Sequence, residues 1–160
     1  DAAVTAIGKR ACDRAGEDFV SSENFSYADA LETAKTLCAK FAAGEFDRLG
    51  ILCTRYVSMM SQTAEVRWIL PLAAEDKGDT GVIFEPDAAT ILDAAVPTFV
   101  AGKLFAAVRE SFASEVAARR VALDAAGKNA QTMIDNLQLE YNRARQSTIT
   151  QEITEIVAGS

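Results

Sequence analysis

The sequence predicts a mixed α/β fold: a small α/β domain with a sheet of about four short strands, then a long C-terminal helix of the coiled-coil type. Three observations predict it. Short apolar runs bounded by Gly alternate with a helical repeat in the first half. No Pro follows Pro97, and the apolar spacing there stays at three and four. Hydrophobic residues make up 49% of the 160, enough for a packed core. The expected organisation is an α/β domain over residues 1–94 and the long helix over residues 95–160.

Taken in order, Ala3-Val4-Thr5-Ala6-Ile7 ahead of Gly8 reads as a buried strand. Residues 9–25 are mixed and give no clear element. Ser26 with Asp29 three residues on is a capping box at a helix start. Tyr27, Leu31, Ala34, Leu37, Cys38 and Phe41 then share one helical face, and Gly44 fits the position after the helix end. Leu49-Gly50-Ile51-Leu52-Cys53 is a second strand, so a right-handed parallel crossover is expected. Residues 56–63 read as a loop or short helical turn. Residues 66–71 form a third strand, residues 75–81 a polar turn, and Gly81-Val82-Ile83-Phe84 a fourth strand. Pro86 and Asp87 sit at a helix start, and Pro97 opens the next helix or kinks a continuous one.

Charge and residue types exclude several functions. The net charge is −7, with 9 Lys and Arg against 16 Asp and Glu in residues 1–96, and 7 of each in residues 97–160. That balance opposes a nucleic-acid groove, which needs a basic stripe. There is no His, which removes His bases, His-paired nucleophiles and His metal ligands. Cys12, Cys38 and Cys53 lack C-x-x-C spacing and read as buried reduced thiols. Thr54, Ser58 and Ser61 have no base to activate them. Glu75, Asp76 and Asp79 lack a calcium-loop register and read as solvated turn charges. Gly8-Lys9-Arg10 lacks the glycine spacing of a nucleotide loop. No cofactor or metal is therefore expected. No uninterrupted run of 18 apolar residues occurs, so no bilayer span is expected. The chain opens on Asp1-Ala2-Ala3-Val4 with no Met, a start that reads as a cut.

The final ~64 residues, as one helix, would be on the order of 95 Å long. Leu104, Phe105, Val108, Phe112, Val116, Leu123, Met133, Leu137, Tyr141, Ile149, Ile153 and Ile156 repeat along it. Alanines 117, 118, 122, 125, 126 and 130 punctuate the repeat and allow close approach of helix axes. Such a stripe needs a partner helix, and nothing else in the chain is long enough. The partner is another chain or a segment preceding Asp1. Near the end, Arg145, Ile149, Glu152 and Ile156 share one face, with Gln146, Thr150, Ile153 and Val157 beside it. Spacing alone leaves two readings: a solvated flank, or a surface that touches protein all round.

Residues 142–160 resemble the C-terminal signature of gamma subunits of F-type ATP synthases. Ile149-Thr150-Gln151-Glu152, Glu155 and Gly159 match that pattern, and Ser160 stands where the family has Ala. Ala113-Ser114-Glu115, Asn129-Ala130, Met133-Ile134, Leu137, Leu139 and Tyr141-Asn142 also resemble its long helix. Tyr56-Val57-Ser58, Ser61-Gln62 and Leu70-Pro71 resemble its α/β part.

The resemblance implies a Rossmann-like α/β domain, and a first helix and first strand N-terminal to Asp1. It implies a rotor shaft without bond chemistry of its own, turned by proton flow. The implied partners are the alpha and beta subunits of the catalytic hexamer, the epsilon subunit, the membrane c-ring and the chain's own N-terminal helix. The absence of a cysteine-pair insert points to a bacterial or mitochondrial type. The location would then be the cytoplasmic face of a bacterial membrane or the matrix face of the mitochondrial inner membrane. Carried over by position, Arg145, Gln146, Thr150, Gln151, Glu152, Ile153, Glu155 and Ile156 would contact the alpha and beta subunits. An uncovered stripe is expected to self-associate. The alternatives are a generic α/β-plus-coiled-coil adaptor, which does not explain the Ile149–Gly159 pattern, and a nucleotide-binding enzyme, which lacks its glycine loop.

Overall fold

The computed structural model describes residues 3–16, 20–72, 85 and 87–159. Five elements follow in order: α1 (Lys9–Ala15), α2 (Tyr27–Ala42), β1 (Leu49–Ser58), β2 (Ser61–Leu70) and α3 (Ala88–Ala158). The mixed α/β class with one long C-terminal helix is as expected. The sheet is not: its two described strands form an antiparallel hairpin rather than part of a parallel crossover.

The difference has local causes. Ala3–Ile7 is not a strand, because an apolar run becomes one only with a ladder to join. The run leads instead into α1, where Gly8 at φ 99° makes the entry turn and its N–H bonds the Val20 carbonyl at 2.8 Å. Residues 56–63 are neither loop nor helical turn. Both strands run on to a two-residue turn at Met59-Met60. The expected strand at 81–84, the turn at 75–81 and Pro86 lie outside the described residues.

Helix α2 starts as its sequence dictates. The Ser26 hydroxyl accepts the Asp29 N–H at 3.2 Å, and the Asp29 carboxylate accepts the Ser26 N–H at 2.9 Å. These bonds stabilise the ionised carboxyl and hold Asp29 below its ordinary value. Ala30 and Ala34 are fully buried, with Leu31, Cys38 and Phe41 half-buried beside them. Gly44 takes the left-handed conformation just past the helix end, as its position predicts.

At the other boundary, Asp87 caps α3 by accepting the Thr90 N–H at 2.9 Å and its hydroxyl at 2.8 Å. Pro97 lies inside α3 rather than opening a new helix.

By contacts, the chain divides into two compact units, Asp1–Ala118 and Arg119–Ser160. The first holds the core: Phe25, Ala30 and Ala34, then Ile69 and Leu70 from β2, then Val100, Ala101, Leu104 and Val108 from α3. Here α2, the hairpin and the start of α3 enclose one apolar cluster. The second unit is the remainder of α3.

One 18-residue stretch of α3, with mean hydropathy 1.6, is long and apolar enough by length and composition to cross a membrane. The sequence predicts no span, because no uninterrupted run of 18 apolar residues occurs. Part of the helix's apolar density is spent inward, since Val100, Ala101, Leu104 and Val108 are core residues.

The hairpin is unusual in which face it turns inward. Gly50 pairs with Trp68 and Leu52 with Val66, and Leu52, Val66 and Trp68 are exposed. Cys53, Glu65 and Arg67 alternate onto the opposite face, where Cys53 is buried. The charged face is therefore the inner one. It is satisfied by Glu110 of α3: Arg67 Nη1 bonds Glu110 Oε2 at 2.8 Å, while Arg67 Nε bonds Glu65. Those two carboxylates hold Arg67 charged far above neutral pH, and Arg67 in turn holds Glu110 below the usual carboxylate range. The three cysteines carry free thiols, Cys12 and Cys53 buried and Cys38 half-buried; burial pushes Cys38 and Cys53 up, away from the reactive thiolate.

Candidate functional site

The residues expected to carry function lie on one stretch of α3, in the unit Arg119–Ser160. Nothing there interrupts a helix: residues 128–158 contain neither Pro nor Gly. Unbroken helical geometry makes their spacing meaningful. Arg145, Ile149, Glu152 and Ile156 rise along one face, and Gln146, Thr150, Ile153 and Val157 along the next.

Every one of these residues is exposed. Ile149, Ile153 and Ile156 keep 45%, 56% and 73% of their surface in contact with solvent. Large aliphatic side chains at that spacing are ordinarily buried, so their exposure is the informative observation.

The polar members are partly turned onto their own helix. The Thr150 hydroxyl donates to the Gln146 carbonyl at 2.8 Å, and Thr154 to that of Thr150 at 2.8 Å. Gln151 Nε2 donates to Glu155 Oε1 at 3.1 Å. Arg145 and Glu152 are exposed charges seven residues apart, on either side of Ile149. The arrangement offers a convex strip of aliphatic surface edged with one cation, carboxylates and amides. A convex strip of that kind suits protein contact; a ligand pocket would be concave.

A second group of residues went unremarked as functional in the sequence. Glu110, Ser111 and Ser114 lie on α3 in the first unit and bond the backbone of β1. The available signal was indirect: Glu110, Ser111 and Ser114 are among five polar residues between Val108 and Val116. Nothing local says that they face a strand edge.

Comparison with known proteins places the chain in a family. The model of the family described as "ATP synthase" matches residues 1–160. The ATP synthase gamma chain of Ruminococcus albus is 37% identical over 171 residues, covering all of this chain and 60% of that protein. The ATP synthase gamma chain of Xanthomonas campestris pv. campestris is 45% identical over 130 residues, covering 79% of this chain and 45% of that protein. The chain thus spans about half to three-fifths of the length of these relatives. A match along its whole length, with gamma chains as the relatives, makes it a member of the ATP synthase gamma-chain family.

Proposed function

We propose that the chain serves as part of the rotor shaft of a proton-translocating F-type ATP synthase. In this reading it does no bond chemistry. Residues 1–94 form a base that joins the epsilon subunit and the membrane c-ring, and residues 95–160 form half of an antiparallel coiled coil. That coil turns inside the hexamer of alpha and beta subunits. Arg145, Gln146, Thr150, Gln151, Glu152 and Glu155 meet the alpha and beta loops, and Ile153 and Ile156 sit in an apolar sleeve. A shaft shifts equilibria at distant sites only through contacts that differ between orientations. The complex would lie at the cytoplasmic face of a bacterial membrane, the bacterial relatives favouring that over a mitochondrial location.

The observation that carries the reading is the exposed aliphatic strip at Ile149, Ile153 and Ile156, in a chain whose relatives are gamma chains. The equal numbers of cationic and anionic residues in 97–160 suit a bearing that must not hold one orientation too tightly.

Co-expression with the alpha and beta subunits of a bacterial ATP synthase tests it. The chain should co-purify with the hexamer, and Ile153→Asp with Ile156→Asp should abolish that. A chain that elutes alone at every concentration overturns the proposal. Without those partners the strip should drive self-association, visible as concentration-dependent sedimentation.

A further inference from the structure

We infer that Glu110, Ser111 and Ser114 form a clamp along the outer edge of β1, and that they position the hairpin so that it turns together with α3. The second half of this inference rests on the rotor reading; the first does not.

Among the described residues, strand β1 has β2 on one side only. Along its other edge, backbone groups alternate outward with no described strand to receive them. Side chains of α3 receive them instead. The Thr54 N–H donates to Ser111 Oγ at 2.9 Å, and the Tyr56 N–H to Glu110 Oε1 at 3.2 Å. The single Ser114 hydroxyl hydrogen goes to the Glu110 carbonyl at 2.8 Å, with the Thr54 carbonyl at 3.4 Å as a weaker, shared acceptor. Positions 110, 111 and 114 lie on one flank of a helix, so one flank serves as a substitute strand.

Glu110 also reaches the second strand, because its other oxygen holds Arg67 of β2 at 2.8 Å. A single carboxylate therefore ties both strands to α3. Apolar packing resists separation but is non-directional, so it does not by itself fix the alignment of strand backbone against helix. Hydrogen bonds are directional and charge-assisted ones are stronger, so this clamp resists rotation of the sheet about α3.

The test uses Ser111→Ala, Ser111→Thr and Glu110→Gln in the full chain. The first readout is hydrogen exchange at single amides. Ser111→Ala should speed exchange of the Thr54 amide roughly tenfold, leaving Cys53 and Arg55, which face β2, unchanged. Ser111→Thr, which keeps the hydroxyl, should restore protection. Unchanged Thr54 exchange in Ser111→Ala overturns the clamp.

The second readout is protons pumped per ATP hydrolysed by the assembled enzyme. It should fall in the Ser111→Ala, Glu110→Gln double variant while hydrolysis continues, and Ser111→Thr alone should behave as wild type. Lost protection with an undiminished pumping yield overturns the positioning role. A wild-type chain that fails to assemble overturns the rotor reading, and the exchange data then decide the clamp independently.

Discussion

Helix α3 passes through two environments with one kind of sequence. Before Ala118 one face of it is covered, with Val100 1% exposed and Leu104 8%, while Leu92, Phe99 and Val116 on its other faces stay exposed. After Arg119 the same spacing continues, yet Leu123, Met133, Leu137 and Tyr141 are all more than half exposed. The first stretch has α2 and the hairpin to close over it. The second has no element of the described residues packed into its core. Periodicity thus specifies which face is greasy, and the rest of the chain decides whether that face is a core or an interface.

The sharpest way to break this comparison is a matched pair of truncations. Leu104→Ala should cost about 3 kcal/mol of unfolding free energy, because it leaves a cavity in a packed cluster. Leu137→Ala should cost less than about 0.5 kcal/mol in the isolated chain at concentrations low enough to keep it monomeric. Denaturant titration measures both. Equal losses would mean that the second stretch is already buried, by self-association for instance. Within the rotor reading, Leu137→Ala should matter only after assembly.

Backbone strain gives a smaller effect. Gly8 sits at φ 99°, where a side chain is unfavourable, so Gly8→Ala should cost about 1–2 kcal/mol. Removing the α2 cap by Ser26→Ala should cost about 1 kcal/mol. Both act in the first unit alone, so neither should alter a property of residues 119–159, such as their assembly.

The last prediction concerns pH. Asp29, Asp87 and Glu110 all have folded-state values below their ordinary ones. A lowered folded value means stability that is present above the unfolded pKa and is lost as pH falls through the folded one. The reference values are 3.8 for the aspartates and 4.5 for the glutamate, so the loss begins as pH drops through that region. Glu110→Gln should flatten the fall of Tm with acid, since its share of the proton uptake is gone. An unchanged slope would show that Arg67 gives Glu110 no advantage.

Some of the fold was legible because it is local. Ser26 and Asp29 make their bonds within one turn, so four residues suffice to see the cap. The strip at Ile149, Ile153 and Ile156 was legible for the same reason: helical spacing is a property of the segment itself. Ala3–Ile7 failed because strand identity depends on a neighbour that periodicity cannot supply. The hairpin failed at its turn, since Met59-Met60 lacks the Gly, Asn or Asp that marks a two-residue connection. Glu110 and Ser111 stayed hidden because their partners lie more than fifty residues away in sequence.

Trp68 is the chain's sole indole, and it sits in β2 against Gly50, with the Arg48 guanidinium 4.9 Å from its ring. Its fluorescence therefore reports on the hairpin, whereas far-ultraviolet circular dichroism is dominated by the 71 residues of α3. The two optical signals watch different parts of one polypeptide. If sheet and helix melt as a single cooperative block, the curves will superimpose; if the distal helix frays first, ellipticity will fall before the emission changes.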